Sequence, residues 1–97
     1  MTSAILLDIV SKPDILISCK TPKEWNLVVK TATEQFERFI FLKHSNWSRY
    51  KEETVISITN KSYGTLEIYE TNNPTFYKIV EARDVLKTRE ENPEYFL

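Results

Sequence analysis

The residues best suited to chemistry lie together in His44-Ser-Asn-Trp-Ser-Arg-Tyr50. This segment holds the only histidine of the chain, one of its two tryptophans, an arginine and a tyrosine. An imidazole can bind a metal or move a proton, and aromatic rings can stack on a ligand. However, His44 has no second histidine beside it, and the sequence contains no C-x-x-C or H-x-x-x-H spacing. We therefore expect neither a metal site nor a cofactor.

Nucleophilic or acid–base catalysis has equally little support. The only cysteine, Cys19, alternates along an apolar run as a small buried side chain would. Glu52 and Glu53 are adjacent, so on a strand they would face opposite sides and could not act on one bond. The single glycine excludes glycine-rich phosphate loops, which need several glycines. The sequence thus favours a protein that is not an enzyme.

Positions 38–51 combine basic and aromatic side chains and contain no acidic residue. Such a mixture can stack on bases and follow phosphates, although core aromatic residues beside an ordinary solvated face would give the same pattern. The residues concerned are Arg38, Phe39, Phe41, Lys43, Trp47, Arg49, Tyr50 and Lys51.

Trp47 stands out because it occurs in a polar connection. An exposed tryptophan is typical of protein interface hot spots, whereas a tryptophan that folds back onto a sheet belongs to the core. We predict a protein-binding surface in this segment; single-stranded nucleic-acid binding through 38–51 is the alternative. The predicted binding residues are Trp47, Arg49, Tyr50, Lys43, Lys51 and His44.

Length and charge limit the remaining choices. Ninety-seven residues fit one domain, 1–97, and 13 basic against 14 acidic side chains give a net charge of −1. This balance provides no general attraction to nucleic acid or to an anionic membrane. No apolar run approaches the roughly 20 residues that span a bilayer, and the opening MTSAILLDIV lacks signal-peptide features. We expect a cytoplasmic protein without a membrane partner.

The clearest structural signal is the capping box Thr21-Pro22-Lys23-Glu24, which predicts the start of a helix. Apolar residues then recur at helical spacing on one stripe about 100° wide, so this helix should pack on a sheet. The stripe consists of Trp25, Val28, Val29, Ala32 and Phe36.

Short β-branched runs predict the strands of that sheet: AILLDIV, DILISCK, RFIFLK, TVISIT and FYKIV. RFIFLK and TVISIT are expected to form an antiparallel hairpin, joined by the polar connection HSNWSRYKEE, and a turn over 60–64 is expected after TVISIT. TLEIYE fits either a strand or a helical turn, and EARDVLK predicts a short C-terminal helix. The expected fold is α+β: a mostly antiparallel sheet with the Trp25 helix on one face and the short helix at its edge.

Three stretches, TPKEWNLVVKTATEQF, NWSRYKEETVISITNKSYGTLEIYE and YKIVEARDVL, resemble small accessory proteins of T4-like tailed bacteriophages. The resemblance covers about 15–87, and Phe36-Glu37 replaces the glycine expected after the helix. It implies a phage protein that binds and inhibits or modulates a host or defence protein, and it supplies no catalytic residues. Formation of a homo-oligomer stays open.

Overall fold

The computed structural model describes residues 4–36, 44–72 and 76–96 of the chain. The helices are α1 (Pro22–Phe36), α2 (Leu66–Asn72) and α3 (Ala82–Val85). The strands are β1 (Ala4–Leu6), β2 (Ile15–Ser18), β3 (Val55–Ser57), β4 (Ser62–Gly64), β5 (Lys78–Glu81) and β6 (Leu86–Thr88). Short 3-10 helices cover Asp8–Ser11, His44–Arg49, Lys51–Glu53 and Pro93–Phe96.

Four of these strands form the main sheet, in the order β4-β3-β2-β5. β3 is antiparallel to both β2 and β4, whereas β5 runs parallel to β2. β1 and β6 form a separate antiparallel pair. The parallel pair needs a long crossover connection, and the chain supplies it between β2 and β5. The predicted α+β class is confirmed.

The capping box begins α1 as predicted. Thr21 Oγ1 accepts a hydrogen bond from the Glu24 backbone N–H at 3.2 Å, and Glu24 Oε1 accepts one from the Lys20 backbone N–H at 3.1 Å. These bonds satisfy backbone donors that have no partner inside the helix. Pro22 is the first helical residue, where its missing N–H costs nothing.

Replacing Thr21 by alanine should therefore lower the free energy of unfolding by about 1 kcal/mol, because the Glu24 N–H loses its acceptor. Denaturant titration at an unchanged slope would measure the loss. Thr21→Ser keeps the hydroxyl and should stay close to the wild type. Equal midpoints for Thr21→Ala and the wild type would show that this cap does not stabilise the helix.

The apolar stripe of α1 lies against one face of the main sheet. Trp25, Val28, Val29 and Ala32 are buried, and Phe36 packs beside them at the end of the helix. Ile17 of β2 and Ile56 of β3 join this core from the sheet, and Ile58, directly after β3, packs with them. The predicted packing of the Trp25 helix on one face of the sheet is confirmed.

The opposite face carries a smaller core under α2. Leu16 and Val55 of the sheet pack with Tyr69 of α2, and Leu66 and Tyr77 lie beside them. The Tyr69 and Ser62 hydroxyl oxygens are 2.7 Å apart and share a hydrogen bond. TLEIYE is thus mostly helical, and α2 covers part of the face that α1 leaves free.

Three local predictions lie outside the described residues or differ from the structure. Residues 38–43, predicted as one strand of a hairpin with 54–59, lie outside the described residues. The other predicted strand contains β3, which pairs with β2 on one side and with β4 on the other. The turn predicted over 60–64 ends earlier, because Ser62–Gly64 form β4, and Lys61 has the left-handed φ of 53°. The helix predicted in EARDVLK stops at Val85, after which β6 pairs with β1.

Candidate protein-binding surfaces

The segment 44–51 is attached to the core by Trp47. Its indole N–H donates a hydrogen bond to the backbone carbonyl of Cys19 at 2.9 Å, and the half-buried ring packs against the core between α1 and the sheet. The hydroxyl of Thr54 donates a longer bond, of 3.5 Å, to the Trp47 carbonyl. A partner that approached this segment would therefore meet only the exposed part of Trp47.

Tyr50 provides a second attachment through a row of aromatic rings. Its ring contacts that of Tyr63 edge-to-face at a centroid distance of 5.9 Å, and Tyr63 contacts the buried Trp25 in the same way at 5.3 Å. The guanidinium of Arg49 lies 5.3 Å from the centre of the Tyr50 ring, within the range of a cation–π interaction. This row runs from the core to the surface at Arg49.

The predicted binding residues thus have different surroundings. Arg49 and Lys51 are exposed, Tyr50 is half-buried, and Lys51 has a left-handed φ of 52° where the two 3-10 helices meet. The backbone of His44 begins the first of these 3-10 helices, whereas its side chain and all of Lys43 lie outside the described residues. The structure brings Trp47, Arg49 and Tyr50 into one short segment, and their contact with a partner stays a prediction.

Cys19 follows β2 and is fully buried. Burial raises the pKa of its thiol far above the usual value, and the nearby carboxylates of Glu24 and Glu81 raise it further. Only the thiolate is a strong nucleophile, so this side chain is unreactive near neutral pH.

A second surface, which the sequence did not reveal, lies along β5. Within the described residues β5 is at the margin of the main sheet, with β2 on its inner side. Phe76, just before the strand, is 90% exposed, and Ile79 within it is 40% exposed. The strand predicted in FYKIV is confirmed for the last three of these residues, whereas Phe76 and Tyr77 precede β5. A run of apolar residues does not tell whether a strand is central or at the margin.

Ile79 also lines a cavity on the face of the sheet that carries α2. The cavity measures about 300 Å³ and opens between the start of α2 and the 3-10 helix Lys51–Glu53. Its apolar lining comes from Val55, Leu66 and Ile79, and its polar lining from Ser18, Thr65, Glu52, Glu53 and Glu67. The sequence signal for this site was weak, because Glu67 is separated from Glu52 and Glu53 by two strands.

Comparisons with protein-family models, with curated proteins and with solved structures find no match to this chain. Among the described residues, no group of three or more histidine, cysteine, aspartate or glutamate side chains is placed to hold a metal ion. None of the described helices is long and apolar enough to cross a membrane.

Proposed function

We propose that this chain is a non-enzymatic protein-binding module. The observation that carries the proposal is the exposure of Phe76, two residues before β5, and of Ile79 within β5, together with the outer edge of this strand, which has no neighbour in the described part of the sheet. A free strand edge offers N–H and C=O groups that another chain can pair with, and large exposed apolar side chains add contact area.

The charged residues of β5 suit this role. Lys78 and Glu81 stand at the two ends of the strand, and charges on an edge strand oppose unspecific sheet-to-sheet aggregation. Glu81 forms an ion pair with Lys20, which follows β2, at 2.9 Å. The charged residues of β5 therefore oppose self-aggregation through this edge and favour binding of a specific partner.

The resemblance to accessory proteins of T4-like phages suggests the kind of partner. A phage protein of this size that acts without catalysis would inhibit or modulate a host or defence protein by covering one of its surfaces. The segment 44–51, with Arg49, Tyr50 and Lys51, offers a second contact region for the same partner.

Single-stranded nucleic-acid binding has less support. The described cations of the segment, Arg49 and Lys51, are followed directly by Glu52 and Glu53. The Trp47 indole N–H is already bound to Cys19, and the Tyr50 ring is in contact with Tyr63 and Arg49. These contacts reduce the aromatic surface on which bases would stack.

A comparison of variants in a capture experiment tests the proposal. The tagged chain and a Phe76→Ala, Ile79→Thr variant are incubated with nuclease-treated bacterial lysate, and bound proteins are quantified by mass spectrometry. A partner should be retained by the wild type and fall about tenfold, equivalent to about 1.4 kcal/mol, in the variant. The matched control is an Arg49→Ala, Lys51→Ala variant, which changes the segment 44–51 and leaves β5 unchanged.

Two results would contradict the proposal. Full retention of every partner by the β5 variant would exclude this strand. Capture of proteins from untreated lysate that are all absent after nuclease treatment would favour nucleic acid. Sedimentation of the pure chain gives the oligomeric state: a dimer that the β5 variant abolishes would make a second copy the occupant of this edge.

A further inference from the structure

The cavity beside Ile79 is large enough to hold an aliphatic side chain. Its volume of about 300 Å³ is at the lower limit of small-molecule sites, which span roughly 300–1,000 Å³. Val55 and Leu66 form its apolar wall, and Val55 is itself buried. An aliphatic side chain from a partner would bury its surface here.

All charged side chains that line this cavity are acidic. Glu52 and Glu53 stand on one side and Glu67 on the other, and all three residues are exposed. The whole chain is close to neutral, with a net charge of −1, so this negative charge is a local feature. Positively charged side chains of a partner would complement these three carboxylates.

Hydrogen bonds fix the backbone of the two segments that carry these carboxylates. The Glu53 N–H donates to the Tyr50 carbonyl at 3.1 Å, and the Thr54 N–H donates to the Lys51 carbonyl at 3.0 Å. On the other side, Thr65 Oγ1 accepts the Ile68 N–H at 3.2 Å and thereby caps the first turn of α2. A site whose walls are fixed before binding loses less entropy when a ligand enters.

We infer that this cavity receives an aliphatic side chain from a partner segment that carries lysine or arginine on both sides of it. The inference rests on the proposed function and names the chemistry of the partner. Glu52 and Glu53 face the basic residue on one side, and Glu67 faces the one on the other.

Peptide binding tests the inference directly. The probe is a fluorescein-labelled peptide of sequence Ser-Gly-Lys-Arg-Leu-Lys-Arg-Gly-Ser, and its affinity is measured by fluorescence anisotropy. One control peptide has serine in place of leucine, and the other has glutamate in place of every basic residue. The wild-type chain should bind the first peptide at least about tenfold more tightly than either control.

Charge variants of the chain distinguish binding at this cavity from general electrostatic attraction. Glu52→Gln, Glu53→Gln and Glu67→Gln combined should weaken binding of the leucine peptide about tenfold. A matched variant removes three exposed carboxylates that do not line the cavity, Glu34→Gln, Glu90→Gln and Glu94→Gln, and should change the affinity by less than about twofold. Equal effects of the two triple variants, or equal binding of the leucine and serine peptides, would overturn the inference.

The partner captured from lysate distinguishes failure of this inference from failure of the proposed function. A partner that is lost with Phe76→Ala but bound normally by the Glu52, Glu53 and Glu67 variant would leave the protein-binding role intact and refute the basic ligand. Loss of the partner with both variants supports both conclusions.

Discussion

Replacing Trp47 by alanine is expected to lower the free energy of unfolding by about 3 kcal/mol. The half-buried indole packs against the core, and its N–H is bound to the Cys19 carbonyl at 2.9 Å. The alanine variant loses this packing and leaves the Cys19 carbonyl without that donor. Chemical denaturation followed by circular dichroism measures the change.

Two further variants identify the origin of the loss. Trp47→Phe keeps an aromatic ring but removes the N–H. The lost hydrogen bond should lower the free energy of unfolding by about 1 kcal/mol, in addition to the loss caused by the smaller ring. Arg49→Ala changes an exposed neighbour in the same 3-10 helix and should leave the midpoint nearly unchanged. A Trp47→Ala midpoint equal to that of the wild type would contradict the observed packing of this ring.

The attachment of Trp47 changes how the basic and aromatic segment can act. Trp47 and Tyr50 were predicted as partner contacts because both occur in a polar stretch of sequence. In the fold, Trp47 connects the segment to Cys19, and Tyr50 connects it to Tyr63. The rings thereby hold Arg49 and Lys51 at fixed positions on the surface, where they are exposed to a partner.

The features that the sequence predicted best are those with local causes. The capping box needs only Thr21, Pro22 and Glu24, and the stripe of α1 repeats at the helical period, so both could be predicted from neighbouring residues. The strand FYKIV and the buried state of Cys19 also follow from short apolar runs. These local patterns were sufficient for the α+β class.

The features that escaped prediction depend on contacts between distant parts of the chain. β6 forms because Ala4–Leu6 lies opposite Leu86–Thr88, and nothing within LKT predicts that pairing. Gln35 at the end of α1 accepts from the Leu6 N–H at 2.8 Å and donates to the Leu6 carbonyl at 2.9 Å, which fixes β1 beside the helix. The edge position of β5 likewise follows from strand order rather than from sequence.

Replacing Trp25 by alanine should have the largest effect of any change considered, a loss of about 4 kcal/mol in the free energy of unfolding. Trp25 is fully buried in α1, and its ring meets that of Tyr63 edge-to-face at 5.3 Å. Because small domains are stable by only about 5–15 kcal/mol, the alanine variant should be largely unfolded at moderate denaturant concentration. Lys23→Ala, an exposed change in the same helix, should keep the wild-type midpoint.

Trp25→Phe keeps the measurement possible if the alanine variant does not fold. It should lose about 2 kcal/mol, because phenylalanine fills only part of the space that the indole occupies. With Trp25 removed, Trp47 is the remaining tryptophan, and its fluorescence reports on the segment 44–51 during unfolding. Since Trp47 packs on the same core, its fluorescence and the circular dichroism signal should change at the same denaturant concentration. An earlier change in fluorescence would mean that, in this variant, the segment detaches from the core before the domain unfolds, and that the contacts of Trp47 with Cys19 and of Tyr50 with Tyr63 do not hold it in place.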